Sequence, residues 1–363
     1  MLKKILRIIV GFIFILSGSV KAVDLVGFSF KLEEYFEPPV FNIPFLVDLA
    51  LPMAIFVVGL ELLLGFMLLM KIKLKRTLIA LILLCIFFGF LTFYSAFYNV
   101  VTDCGCFGDA IKFTPWESFW KDMILLVALL IIYLLYSRSS EKFNDTTNKF
   151  QLICVFIFTL IMTIISYWGI AHEPLIDFRD YKIGTDLNAE KAKIEKDPSE
   201  YKTFYTLKNK KTNEELVVNQ DDYVNDDKYW KEDTDWEIVA DKNESKLVKQ
   251  GYRSEIGKFK IEDENGMEAT DEILKTAKAV LIFSYKPNKA DKEVIAKAEA
   301  KMKGEKATYL LGISTQPNTF KTINNAKMDG TAMKTIARSN PFILIIENGK
   351  ITHKESAKDY IKN

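Results

Sequence analysis

Histidine is almost missing from this chain: of 363 residues only His172 and His353 are histidine, and neither lies in the first four long apolar runs. That rules out a haem held between those runs by histidine ligands and a di-iron site that needs histidine, so no metal or haem is expected. Cysteine is nearly as scarce, with four residues. Cys85 and Cys154 fall inside apolar runs and read as small buried hydrophobes. Charge of one sign is missing too, since 48 Lys+Arg against 47 Asp+Glu leave +1, which gives no footprint for nucleic acid. The first apolar run ends in SGSVKAVD, which lacks an A-x-A-like cleavage site. Although Lys3, Lys4 and Arg7 precede it, the run is therefore read as an uncleaved helix. No internal repeat relates the runs, which weakens a transporter reading.

What is present is a chain of two regimes. Up to about Ile170 the charges sit in short clusters between apolar runs, and afterwards they are dense and continuous. A membrane span needs about 20 mostly apolar residues. Five runs qualify, at roughly 5–22, 50–70, 78–100, 117–136 and 151–170. They predict a four-helix membrane domain over 1–137, a fifth membrane helix at 151–170, a β-rich linker or small module over 171–255 and an α/β domain over 256–363. Lys3, Lys4 and Arg7, then Lys71, Lys73, Lys75 and Arg76, then Arg138, Lys142 and Lys149 mark three cytoplasmic segments. The expected location is a bacterial inner membrane, multi-pass in the lipid bilayer, with a cytoplasmic N-terminus and a periplasmic C-terminal domain. The first outer loop is acidic, with Glu33, Glu34, Glu37 and Asp48, and the second contains DCGCFGD at 103–109.

Cys104 and Cys106 thus face an oxidising compartment, where disulfides persist. Bridging residues two apart demands a sharp backbone turn, which the intervening Gly105 tolerates. Such a ring is strained, and strained exposed disulfides are the labile, oxidising ones. It also closes almost no loop, so it adds little to stability. Four readings stay open: a redox-active pair, a passive loop clip, part of a metal site, or two separate inert thiols. Two cysteines leave a zinc short of ligands. Asp103 and Asp109 flank the pair and disfavour thiolates, while Lys112 opposes them. Thr114-Pro115-Trp116-Glu117 has the spacing of a capping box with proline at the first helical position, so the fourth span is expected to start there. Trp116 and Trp120, with Tyr94 and Tyr98, suit an interfacial aromatic belt.

Two further elements precede the cysteines. The first span carries G-F-x-F-x-x-S-G-x-x-K as Gly11, Phe12, Phe14, Ser17, Gly18 and Lys21, and the second carries E-L-x-L-G as Glu61, Leu62, Leu64 and Gly65. Together with DCGCFGD and the following TPWESFWKD, these resemble the DoxX/MauE group of small helical membrane proteins. MauE is similar in its cysteine pair and its link to disulfide formation during maturation of an exported enzyme, and DoxX relatives are associated with thiosulfate–quinone chemistry. By analogy with DsbB and vitamin K epoxide reductase, the resemblance implies electron exchange between a disulfide and membrane quinone. Glu61, about midway along its span, is costly there and is a candidate proton relay or polar site; the competing reading is a protonated or structurally paired carboxyl. Lys21 and Asp24 are expected to snorkel or pair near the outer surface. Gly11, Ser17 and Gly18 are read as helix packing.

Beyond the fifth span, 201–219 reads as a hairpin, whereas the acidic, aromatic stretch 221–250 has no clear pattern. From 256, KFKIEDENGMEAT predicts two short strands around a D-E-N-G turn. AVLIFSY predicts a buried strand, KADKEVIAKAEAKMKG a helix, ATYLLGIS a strand, TAMKTIAR a helix, and NPFILIIENGKITHK a hairpin with an N-G turn. This alternation resembles the thioredoxin superfamily. Ser339-Asn340-Pro341 looks like the element whose proline is cis, which makes Pro341 a candidate partner-binding residue. The strand AVLIFSY looks like the one that leads to C-x-x-C, but here YKPNKA follows and has no cysteine. The whole arrangement resembles a DoxX family of Bacteroidetes that joins such a bundle to such a domain. The expected function is a membrane thiol–disulfide oxidoreductase that moves electrons between periplasmic protein thiols and quinone through Cys104 and Cys106. The alternative is a non-enzymatic adaptor or maturation factor for exported proteins with a structural disulfide.

Overall fold

The computed structural model describes residues 1–38, 40–101, 108–111, 113–138, 143 and 147–363. Helices α1 (Leu2–Val23), α2 (Leu25–Phe36), α3 (Pro44–Val47), α4 (Ala50–Met70), α5 (Leu74–Tyr98), α6 (Pro115–Ser137) and α7 (Lys149–Ala171) come first. Five of them, α1, α4, α5, α6 and α7, are long and apolar enough to cross a membrane. Their ends follow local chemistry. The Thr114 side chain accepts from the Glu117 amide while Glu117 reaches back to the Thr114 amide, with Pro115 at the first helical position. Asn148 and Gln151 make the same reciprocal cap for α7.

The segment after the first span is a correction. The sequence predicts an acidic loop, but α2 begins directly after Asp24, whose carboxylate caps it by accepting from the Gly27 amide at 2.9 Å. Leu25, Phe28, Leu32, Tyr35 and Phe36 repeat at helical spacing and pack with Ala50, Ala54, Val57, Val58 and Leu62 of α4. The intervening acids mask that stripe in the sequence.

The basic segments meet at one end of the bundle. The Lys3 and Lys71 ammonium groups both sit over the Tyr136 ring, at 5.0 and 5.7 Å. Arg7 donates to the carbonyls of Leu68 and Leu69, and the Gln151 amide donates to that of Met70. Spans that alternate in direction require this arrangement, and Asp24, α2 and Asp109 accordingly fall at the opposite end.

Thr185–Lys260 forms a compact unit of its own. It contains α8 (Leu187–Lys196), β1 (Glu200–Asn209), β2 (Glu215–Asn219), α9 (Gln220–Asn225), β3 (Trp236–Ile238) and β4 (Glu244–Lys249). Strand β1 pairs antiparallel with β2, β3 and β4, so the predicted hairpin is present. Three of the unplaced aromatics belong to its core, where Tyr223 and Trp236, with Tyr205, pack against Leu207, Val218 and Tyr229, whereas Trp230 stays exposed.

The last segment, Ile261–Asn363, groups with Met1–Gly184 in the other unit. It holds α10 (Thr270–Lys275), β5 (Ala279–Ser284), α11 (Lys292–Met302), β6 (Tyr309–Ser314), β7 (Asn324–Lys327), α12 (Gly330–Ile336), β8 (Phe342–Glu347), β9 (Lys350–Ser356) and α13 (Ala357–Lys362). The sheet order is β7-β6-β5-β8-β9, with β5, β6 and β7 parallel and β8 and β9 antiparallel. Every residue of β5 is buried, which is why AVLIFS is a continuous apolar run. Asn348 and Gly349 make the predicted turn with φ of 49° and 79°. The two strands expected around D-E-N-G reduce to single bridges of Glu262 with Glu268 and with Lys327, because the segment is too short and too acidic to extend a ladder.

Close contact of α1 with α4 depends on small residues. A Cβ added at Gly65 would lie 2.9 Å from Phe14 Cβ and 3.3 Å from the Ile15 backbone nitrogen, neither of them a flexible tip, whereas at Gly59 nothing lies within 4 Å. Alanine gains about 1 kcal/mol over glycine in a helix, and overpacking costs about 1–3 kcal/mol. Gly59→Ala is therefore expected to raise the midpoint of thermal unfolding in a given detergent and Gly65→Ala to lower it. Shifts of the same sign would contradict this packing.

Candidate functional site

Cys104, Cys106, Asp103 and Lys112 lie outside the described residues. What the structure places is the chain on either side of them. Val101 is buried in the core formed by α2 and α4, and Asp109, three residues after Cys106, reaches the C-terminal α/β domain.

The contact is made by Arg338. The residue follows α12 and precedes the cis Asn340–Pro341 peptide that leads into β8. Its Nε donates to both Asp24 oxygens at 2.9 Å and its Nη2 to Asp24 Oδ2 at 2.7 Å, while Nη2 also meets Asp109 and Nη1 the Lys334 carbonyl. Asp24 and Arg338 are only 6% and 7% exposed, so the pair is largely withdrawn from water. Gly27 makes the approach possible, since an added Cβ would fall 2.5 Å from Asp24 Oδ2 and 2.6 Å from Arg338 Nη2. Burial alone would raise the Asp24 carboxyl, but the adjacent Arg338 guanidinium outweighs it and holds it below the usual carboxylate range.

Glu173, just past α7, secures the same loop from behind. It accepts from the amides of Arg338 (3.0 Å) and Ser339 (2.9 Å) and from the Ser339 hydroxyl (2.6 Å), and it pairs with Arg179 at 2.8 Å. Arg179 also binds Asp177 at 2.7 Å, and Lys354 joins Asp177 to the carbonyls of Tyr181 and Ile336. Burial opposes ionisation of Asp177, yet Arg179 and Lys354 bring its pKa down from 3.8 to about 2. From the β5 side, the Tyr285 hydroxyl donates to the Arg338 carbonyl at 2.7 Å.

A second contact uses the acids of the first outer segment. Glu33 on α2 accepts from Lys286 at 2.8 Å and from Lys334 at 2.9 Å, and Asp48 pairs with Lys289. Lys286 and Lys289 lie in YKPNKA, the stretch after β5 that has no cysteine. Its lysines meet the acidic segment of the bundle. Pro341 is buried, and the residues before it are occupied by groups of this same chain, so in this structure the proline is not a free docking surface.

Inside the bundle, Glu61 is paired rather than alone. Lys21 Nζ lies 2.8 Å from Glu61 Oε2, both side chains are at most 3% exposed, and the ammonium also faces the Phe28 and Phe88 rings at 5.4 and 4.8 Å. Lys21 therefore pairs inward and does not snorkel. Nearby, Asp122 Oδ1 on α6 meets Lys121 at 3.0 Å. Cys85 is buried as expected, but Cys154 is only half-buried. Between α4 and α7 a cleft of about 120 Å³ is lined by Leu62, Phe158 and Met162, with the hydroxyl residues Thr159, Thr163 and Ser166. Among the described residues no group of three or more His, Cys, Asp or Glu side chains is arranged to hold a metal ion.

Sequence reasoning missed Arg338, Glu173, Arg179 and Asp122. Asp122 was visible as a charge within an apolar run. For the others the only signal was RSNP and EPLIDFRD, whose charges look like ordinary surface polarity.

Comparison with known proteins finds a family match in the membrane half. Residues 1–135 match the family described as methylamine utilisation protein MauE. The chain is also 28% identical over 159 residues to Protein TlpB of Flavobacterium psychrophilum, a match that covers 43% of this chain and 42% of that protein. It thus spans about two fifths of the relative's length. No solved structure matches the chain.

Two outcomes follow from the ionic contact. Arg338→Ala leaves Asp24 buried without its cation and is expected to cost about 3–5 kcal/mol, read as a lower unfolding midpoint; Lys289→Ala, at an exposed pair, is expected to change it little. Asp177 has a folded pKa below its ordinary 3.8, so its contribution is complete above about pH 4 and disappears as pH falls through about 2. Wild type should therefore exceed Asp177→Asn by about 2 kcal/mol at neutral pH, a gap that closes on acidification in denaturant titrations. A gap that widened instead would reverse the assigned sign.

Proposed function

We propose that this membrane protein, with its MauE domain at residues 1–135, is a thiol–disulfide oxidoreductase of a bacterial inner membrane. It exchanges electrons between protein thiols outside the membrane and quinone within it, through Cys104 and Cys106. One observation carries most of the reading: Asp109, three residues after Cys106, is ion-paired with Arg338, three residues before the cis-proline Pro341. The segment that follows the cysteines is thereby tied to the element that, in a thioredoxin-like domain, faces a disulfide. The strand order β7-β6-β5-β8-β9 and the cis peptide before β8 support a thioredoxin-like reading of the C-terminal domain. Without cysteines after β5 that domain carries no electrons itself, and its role is to hold the cysteine-bearing end of the bundle. The clustering of basic residues at the other end supports a cytoplasmic N-terminus and a periplasmic domain.

In the reaction a thiolate of a partner dithiol attacks one sulfur of the Cys104–Cys106 bridge and forms a mixed disulfide. The partner's second thiol displaces that bond, so the partner leaves oxidised and both cysteines are left as thiols, two electrons and two protons richer. Membrane quinone supplies the electron sink, taking up two electrons and two protons as hydroquinone while the bridge is restored. The cleft between α4 and α7 is the place we assign to the quinone ring, with apolar walls from Leu62, Phe158 and Met162 and the hydroxyl side chains of Thr159, Thr163 and Ser166 beside them.

The test is the redox state of Cys104 and Cys106 in intact cells, trapped with a membrane-impermeant thiol reagent before and after depletion of respiratory quinone. The pair is expected to shift towards reduced when quinone is removed. A pair that stays oxidised throughout would instead make it a structural bracket and the protein an adaptor.

A further inference from the structure

One group of buried charges is used by neither the domain contact nor the cysteine chemistry. Lys21 of α1, Glu61 of α4, Cys85 of α5, and Lys121 and Asp122 of α6 line a single cavity of about 10 Å³, together with Ser17, Phe14 and Phe88. Asp122 is 4% exposed, and its Oδ2 has no hydrogen-bond partner among the described residues. Ser118, four residues earlier on the same helix, likewise has a buried hydroxyl without a partner among them. A buried carboxylate oxygen left unmatched is expensive, so the site calls for a bound proton, a ligand, or both.

Size and charge decide which. The cavity has room for about one water molecule, which needs two to four polar partners; Asp122, Glu61 and Lys21 supply them. Among the described residues two ammonium groups balance the two carboxylates, so no surplus of negative charge among them invites a metal cation. A proton on Asp122 Oδ2 needs no such surplus and turns the unmatched acceptor into a donor.

We infer that Asp122 is a proton-exchange site inside the bundle, joined by one bound water to the Lys21–Glu61 pair and reached from outside along Lys121. Lys121 fits that role because it touches Asp122 while its side chain remains 22% exposed. In use, the two protons released when the cysteine thiols close to a disulfide reach the bundle interior one at a time by way of Asp122, and the same two are taken up with the electrons by quinone. That use rests on the function proposed above, whereas the protonation of Asp122 does not.

Infrared difference spectra of the full-length protein in lipid vesicles, recorded over a pH series, separate the two. The expected result is a protonated-carboxyl band that titrates, disappears in Asp122→Asn, moves in Asp122→Glu and persists in Cys104→Ser and Cys106→Ser. Asp122→Asn is also expected to slow reoxidation of the cysteine pair by added quinone on the order of a hundredfold, the scale of a lost proton-transfer group. If no carboxyl band lost in Asp122→Asn titrates, the inference is overturned, whatever the thiols do. If quinone fails to reoxidise the pair in the wild type, the proposed function falls and the carboxyl band still decides the question of Asp122.

Discussion

The arrangement depends on a guanidinium that has been taken out of water. Arg338 enters a site walled by α1, α2 and the segment around Asp109, and its desolvation is offset only because two carboxylates meet it in good geometry. Asp24 can serve because it sits at the break between α1 and α2, where it caps one helix and still has lone pairs for the arginine. Gly27 leaves the space between them. Once Arg338 is fixed, the backbone that follows is fixed too, because Glu173 binds the amides of Arg338 and Ser339 and the next peptide is the cis bond before Pro341. A short run of four residues thus joins the end of α1, the exit of α7 and the start of β8.

The same contact explains features that look unrelated in the sequence. The acidic first outer segment and the lysines after β5 are opposite halves of one surface, with Glu33 between Lys286 and Lys334 and Asp48 against Lys289. Asp109 was read as a charge that would discourage thiolates. It shares the Arg338 guanidinium with Asp24, so its carboxylate belongs to the contact that holds the C-terminal domain. A C-terminal domain whose cis-proline loop is buried against the helical bundle also differs from a mobile carrier: its contact energy goes into holding one end of the bundle in place.

Much of this was legible from local pattern. The five spans, the Thr114 cap, the buried strand β5 and the N-G turn each follow from residues within a few positions of one another, and there composition and periodicity suffice. Helix α2 was missed because Lys31, Glu33 and Glu34 interrupt an apolar stripe that becomes visible only when read at helical spacing. Strand β7 has four residues and no apolar alternation, so only its partner β6 defines it. The pairing of Asp24 with Arg338 joins residues more than three hundred positions apart, and nothing local to either marks it. Glu61 lay between the two: the sequence exposed an expensive intramembrane carboxylate, and the structure supplied Lys21 as its partner.

That partner changes what an intramembrane acid means here. A lone carboxylate in a span invites a functional reading because nothing else accounts for its cost. Glu61 has an account, since an ammonium at 2.8 Å and two aromatic faces around that ammonium satisfy the pair. The unexplained cost passes to Asp122, which shares its only described salt bridge between one oxygen and a partly exposed lysine and leaves the other oxygen unmatched. Ion pairs that are complete tend to hold a structure in one state, whereas an acid with one buried oxygen unmatched leaves an acceptor that a proton or a bound water would satisfy. The unmet polar demand of the bundle therefore lies at Asp122, beside a Lys21–Glu61 pair whose charges already meet each other.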